Sequence, residues 1–225
     1  MMKTNSRRGV MGIEAALVLI AFVIVAAALS FVVLNMGFSS TQKAKETVTK
    51  GIEEASQAIQ IAGKVMSATD VPKSQVNATQ FPIKVVSGGH GVNLNATLAT
   101  LRFNTGTTQY DNLLKRSCVL TSTTYNNLAT AMSAAVASGC LNSNPIGSPG
   151  TAPSATQAVV YWTTQKNTNE ILEAGEQANI VIVYTQTDRP IASQQIHAEL
   201  ILDSGAPVKF SRLVPPLTEK YTDMG

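Results

Sequence analysis

The sequence predicts an α+β chain: a long N-terminal hydrophobic α-helix followed by an antiparallel β-sandwich. Three observations predict it. Residues 15–34 form an apolar run whose sole polar member is Ser30. A stripe of apolar residues at three- and four-residue steps continues as far as Met66. Beyond Asp70 the composition turns to Thr, Ser, Asn and Gln, and short segments alternate apolar with polar residues.

The run comes first. Crossing a bilayer takes about 20 apolar residues, whereas a secretory h-region has only about 7–15. Residues 15–34 are long enough to span. Ala26-Ala27-Ala28 also offers a small-residue cut inside the run, which would leave Leu29 as a new N-terminus. Flanking charge does not orient the segment, because Lys3, Arg7 and Arg8 before it are matched by Lys43, Lys45 and Lys50 after it. Glu14 stands at the edge of the run. A carboxylate in apolar surroundings is costly and marks a functional position by default, although at the interface it stays wet.

The stripe comes second. Ala44, Val48, Ile52, Ala55, Ile59, Ala62 and Met66 share one helical face, with Lys43, Lys45, Lys50, Glu53, Glu54 and Lys64 mostly off it. Asp70 and Pro72 close the pattern, since proline cannot continue a helix. A helix over residues 10–69 would measure about 90 Å at ~1.5 Å per residue. Alanines 15, 16, 21, 26, 27 and 28 let helices approach closely. The face therefore suits packing among copies of itself, although a single anchor would also tolerate it.

The third part, residues 70–225, holds enough chain for one core. Val92, Leu94, Ala96 and Leu98 alternate with polar residues, and the phase then slips to Leu101 and Phe103, which predicts a strand with a bulge. Further strands are predicted over 81–86, 117–123, 158–163, 178–186, 196–202 and 208–213. A short helix is predicted through Leu128, Met132, Ala135 and Val136. Ser87-Gly88-Gly89-His90-Gly91 is a turn lacking the phosphate-loop pattern. Residues 142–153, rich in Pro, Gly and Ser, form a surface loop. Short strands between turn signals predict an immunoglobulin-like sandwich. Asn77-Ala78-Thr79 and Asn95-Ala96-Thr97 are N-glycosylation sequons. Cys118 and Cys140 are either a disulfide, worth about 3 kcal/mol, or two buried thiols.

Catalytic patterns are missing. The chain has two histidines, no H-E-x-x-H, no G-x-S-x-G and no paired-cysteine motif. His197 falls opposite in phase to Ile196, Ala198 and Leu200, so it faces solvent on a strand. Asp188, Glu199 and Asp203 have no ligand spacing. No enzyme, cofactor or metal ligand is expected. The net charge of +3 falls to zero without Lys3, Arg7 and Arg8, leaving 14 basic residues against 14 acidic. Nucleic-acid binding is not expected.

The order basic pair, glycine, cut, then retained apolar helix resembles the class III signal peptide of type IV pilin-like proteins. The residues carrying it are Arg7-Arg8-Gly9 before Val10-Met11-Gly12-Ile13-Glu14. The ending Leu34-Asn35-Met36-Gly37, followed by Thr41-Gln42-Lys43-Ala44-Lys45, is similar to archaeal flagellins (archaellins). So are Val160-Tyr161-Trp162, Gly175-Glu176, Gly205-Ala206-Pro207-Val208, Arg212 and Pro215-Pro216. Residues 71–155 carry no signature of that family.

The resemblance implies removal of residues 1–9 by a prepilin-type signal peptidase, with Val10 as the new terminus. It implies that Glu14 pairs with the terminal amine of a neighbouring subunit. Ala15, Leu17, Leu19, Ile20, Phe22, Ile24, Leu29, Phe31 and Leu34 would then line a filament core. The implied partners are copies of this chain or related archaellins, and a membrane assembly platform with its ATPase. The implied location is an extracellular filament on an archaeal cell, formed from a precursor inserted in the inner membrane. A type IV adhesion pilin and a monomeric membrane-anchored binding module are the alternatives.

Overall fold

The computed structural model describes residues 7–56, 59–146, 151–203 and 205–225. It contains two compact units, 1–51 and 52–225. Helix α1 spans Arg7–Ser56. At ~1.5 Å per residue it is about 75 Å long. No proline interrupts it, and its apolar half is made of residues that complete all backbone hydrogen bonds internally.

The helix expected over 10–69 ends early. Strands β1 (Ile59–Ile61) and β2 (Met66–Asp70) occupy its last part, so the β-domain begins before residue 70. Ile59, Ala62 and Met66 fit a helical stripe, but Ile59 and Ile61 fit an alternating strand equally well. Pairing decides the matter. Ile59 lies opposite Val85 and Ile61 opposite Ile83, which buries Ile59. Gly63 weakens a helix interior. It also lets the chain approach the next strand, since a Cβ there would lie 3.2 Å from Pro82 Cγ.

The remaining strands are β3 (Gln75–Val85), β4 (Val92–Asn93), β5 (Thr100–Asn104), β6 (Gln109–Tyr110), β7 (Leu114–Thr124), β8 (Gln157–Thr164), β9 (Ile171–Leu172), β10 (Gln177–Val183), β11 (Gln195–Ile201), β12 (Val208–Leu213) and β13 (Tyr221–Asp223). Helix α2, Leu128–Ala137, lies between β7 and β8. A seven-stranded sheet runs β13-β2-β3-β10-β8-β7, with β1 also on β3; a four-stranded sheet runs β12-β11-β5-β6; β4 and β9 pair separately.

The sheets are mostly antiparallel, as expected, but β7 runs parallel to β8. A parallel pair needs a long crossover, and the segment holding α2 supplies it. The predicted bulge after Leu98 is instead a turn separating β4 from β5. Asn95 Oδ1 accepts from Thr97 N at 2.9 Å, and Asn93 Oδ1 accepts from Asn95 N at 2.9 Å. These side-chain bonds stand in for a strand ladder.

The two large sheets share one core. Phe81 of β3 meets Phe210 of β12 edge-on at 4.7 Å, and Phe103 of β5 lies 5.4 Å from Tyr184. A second core covers the other face of the seven-stranded sheet, where Val159, Tyr161, Val181 and Val183 pack with Leu128, Met132 and Ala135 of α2. Strands β8 and β10 are therefore buried on both faces, which is why they read as continuous apolar runs. Strand β11 is covered on one face and alternates: Ile196, Ala198 and Leu200 in, His197 out. Helix α2 starts where Asn127 Oδ1 accepts from Thr130 N at 2.8 Å. It ends before Gly139, whose φ of +76° favours glycine.

Candidate assembly helix

The first turns of α1 hold Arg7, Arg8, Gly9 and Val10 on helical backbone. Glu14 follows one turn later. It sits at one end of an apolar strip made by Ala15, Val18, Leu19, Phe22 and Val23. Leu17, Leu19, Ile20, Phe22, Ile24, Leu29, Phe31 and Leu34 are all exposed, from 54% for Ile20 to 77% for Phe22. They point in every direction, so this half of α1 is apolar all round and has no polar face.

The magnitude is decisive. Full burial of one such side chain contributes about 1.5–3 kcal/mol, so these eight together amount to on the order of 10–20 kcal/mol. That equals or exceeds the net stability of a typical domain, about 5–15 kcal/mol. A subunit cannot leave this surface in water.

Three hydroxyls along α1 are satisfied locally. Ser30 Oγ donates to Ala26 O at 2.8 Å, Thr41 Oγ1 to Gly37 O at 2.9 Å and Thr47 Oγ1 to Lys43 O at 2.9 Å. An unpartnered hydroxyl in apolar surroundings is costly, and these bonds remove that cost. Further along, Lys50 pairs with Glu46 at 3.0 Å.

The two sequons separate sharply. Asn77 is 7% exposed within β3, its Nδ2 donating to Pro145 O at 3.1 Å, and Thr79 is fully buried beneath the Tyr184 hydroxyl. Asn77 is thus corrected: in this fold it has no room for a glycan. Asn95 lies half-buried on the β4–β5 turn, with Thr97 Oγ1 donating to its Oδ1 at 2.7 Å. The cysteines are bonded. Cys118 at mid-β7 joins Cys140 just after α2, with Cα atoms 5.0 Å apart, inside the second core.

A model of the archaeal-type flagellin family matches residues 9–212. The chain belongs to that family. It is 49% identical over 106 residues to a probable flagellin 1 of Aeropyrum pernix, covering 47% of this chain and 51% of that one. It is 37% identical over 116 residues to flagellin FlaB2 of Saccharolobus shibatae, covering 50% and 38%. The chain thus spans about half the length, or less, of these curated relatives. Two solved structures share the fold. The archaeal flagellum of Methanospirillum hungatei has a TM-score of 0.58 at 23% identity, covering 91% of this chain and 93% of that one. Archaeal flagellin FlaB1 of Methanocaldococcus jannaschii has a TM-score of 0.55 at 12% identity, covering 74% and 95%.

The β-domain adds residues that sequence reasoning did not single out for a role. Glu176 is 2% exposed. Its Oε1 accepts from Lys166 N at 2.6 Å and its Oε2 from Glu173 N at 2.9 Å. One carboxylate thereby fixes the loop between β8 and β10, and Gly175, at φ +87°, makes the turn that delivers it. The flagellin-like pair Gly175-Glu176 is the signal that could have found this. Asp188 accepts from Tyr110 Oη at 2.6 Å and Thr156 Oγ1 at 2.5 Å. Burial works to raise its carboxyl, but hydroxyl donors from Thr156, Tyr110, Thr185 and Thr187 hold it below the ordinary range. Arg189 is buried, with Asp70 at 3.7 Å. No local motif announces either. Among the described residues, no group of three or more His, Cys, Asp or Glu is placed to hold a metal ion.

Proposed function

We propose that the chain is a structural subunit of the archaeal motility filament and polymerises through α1. The observation that carries this reading is the all-round exposed apolar surface of α1 in a chain of the flagellin family. Such a helix needs lipid or neighbouring copies around it. The reading uses both in turn. The precursor spans the inner membrane. A prepilin-type peptidase cuts between Gly9 and Val10. The platform and its ATPase then move α1 from lipid into a bundle of identical helices.

The cut does two physical things. It removes Lys3, Arg7 and Arg8, which would otherwise be drawn into an apolar core. It also creates a cationic amine at Val10. Glu14 supplies the matching carboxylate on a neighbouring copy, because a buried charge needs a partner. A contact of this kind is head-to-tail and grows an open helix when the rotation does not close. The β-domain lies outside the cell, where the Cys118–Cys140 bond suits an oxidising setting and Asn95 is the glycan acceptor. The chain's role is structural, with no cofactor and no nucleic acid.

N-terminal sequencing of native filaments tests the reading and should begin at Val10. A start at Leu29 or an intact Met1 overturns it. Gly9→Leu should leave uncut precursor in the membrane and no filaments; normal filaments from that variant would count decisively against the account.

A further inference from the structure

The outer face of the four-stranded sheet carries a groove of about 390 Å³, walled on one side by β6 and Asp111. That volume falls in the range of small-molecule sites, about 300–1,000 Å³. Nothing in the assembly reading uses it. Register places two rows of side chains across its floor. Arg102, Glu199 and Lys209 form one row; Asn104, His197 and Ser211 form the next. With strands about 4.8 Å apart, Arg102 and Lys209 stand about 10 Å from each other with Glu199 between them.

The charges are not equally engaged. Lys209 Nζ pairs with Glu199 Oε1 at 2.9 Å. Among the described residues, the exposed Arg102 side chain has no hydrogen-bond or ion-pair partner, and neither do the side chains of His197 and Asp111. The groove thus offers one unclaimed guanidinium, surrounded by neutral donors and by carboxylates. Each part restricts the ligand. A free guanidinium fork matches a single carboxylate in two parallel hydrogen bonds. A polyphosphate would be repelled by Asp111 and Glu199. A metal ion would be repelled by Arg102 and Lys209. Sulfate has no hydrogens for the carboxylates to accept. A ligand rich in hydroxyl groups and bearing one carboxylate uses both kinds of side chain.

We propose that this groove binds a hexuronic-acid unit of an acidic polysaccharide, with the sugar carboxylate on Arg102. Asn104, Ser211 and His197 then meet ring hydroxyls as donors or acceptors, and Asp111 accepts from them. The β-domain would thereby hold acidic surface polysaccharide, a function separate from polymerisation.

The test titrates sheared native filaments, and the full chain in detergent micelles, with oligogalacturonate, neutral oligogalactose and sodium sulfate by calorimetry. Oligogalacturonate should bind both preparations saturably, and at least tenfold more tightly than the neutral sugar. Sulfate should displace it only in large molar excess. Arg102→Gln should weaken binding about tenfold or more, as expected for loss of a charged hydrogen-bonding group. His197→Ala should weaken it several-fold. Both side chains are exposed, so the unfolding temperature should not move. Absent saturable binding, unchanged affinity in both variants, or equal competition by sulfate overturns the proposal. Binding to micellar chain but not to filaments also overturns it, since the groove would then be covered by a neighbouring copy. These outcomes leave the N-terminal sequencing result untouched, so the two readings fail separately.

Discussion

Helix α1 and the β-domain are both rich in aliphatic residues, yet they use them in opposite ways. Within one chain Ile180 is fully buried and Ile24 is 62% exposed. The β-domain completes its cores alone, with Trp162, Tyr161 and Tyr184 sealed between sheets and α2. Helix α1 completes nothing by itself. The difference teaches that apolar content does not specify a core; periodicity and partners do. Strands of period two close on each other within the chain. A helix that is apolar all round has no complementary face in its own subunit and must find one elsewhere.

The sharpest way to break this comparison is to place the same charge in both regions. Ile24→Asp should abolish filaments, as scored by electron microscopy of sheared material, while the thermal melt of the β-domain in detergent-held subunits stays unchanged. Ile180→Asp should do the reverse and prevent the β-domain from folding, read as loss of its cooperative melt. A filament built from Ile24→Asp subunits would show that the exposed face is idle. The milder Ile180→Ala should cost about 2–5 kcal/mol in a denaturant titration.

A smaller effect concerns the disulfide, which has no counterpart in α1. Cys118 and Cys140 are 22 residues apart, and the bond closes a segment containing all of α2. A paired Cys118→Ser, Cys140→Ser change should lower β-domain stability by about 3 kcal/mol and leave α1 helicity, read by circular dichroism, intact. Intact-mass measurement with and without reductant should show two hydrogens gained per chain.

The smallest effect is pH dependence, and its sign follows from Asp188. The folded state holds this carboxyl below its ordinary value. Its contribution is therefore fully present above the unfolded carboxyl pKa, about 3.9, and is lost as pH falls through the lower folded value. Melts should be flat across Asp188's range above about pH 5 and should decline below pH 4. Asp188→Asn should flatten that decline in part. An identical acid profile in the variant would show that the hydroxyl donors around Asp188 do nothing for the charge.

The two regions also differed in how far they could be read from sequence. The apolar run from Ala15 to Leu34 announced its helix without ambiguity, and the alternation at Ile196, Ala198 and Leu200 placed β11 and turned His197 outward. The end of α1 did not, because Ile59 fits a helical stripe with Ala62 and Met66 and an alternating strand with Ile61 equally well, and only the pairing with Val85 and Ile83 chooses between them. Continuous apolar runs located β8 and β10 and fit burial on both faces, but they do not say which elements cover each face. The two sequons are indistinguishable as triplets; burial of Asn77 under Pro145 is a tertiary fact. The contacts of Asp188 join residues 78 and 32 positions away in sequence, a span that no local motif can report.

The back-bonded hydroxyls of α1 have one further consequence. Ser30, Thr41 and Thr47 each close on a carbonyl one turn earlier, so these three hydroxyls are satisfied before anything touches the helix. Exchanging one greasy environment for another then breaks none of these hydrogen bonds and strips no water from these hydroxyls. For these positions a hydrocarbon tail and a neighbouring leucine differ in shape and not in polarity. The helix is, in that sense, indifferent to its host, and what selects the host is fit.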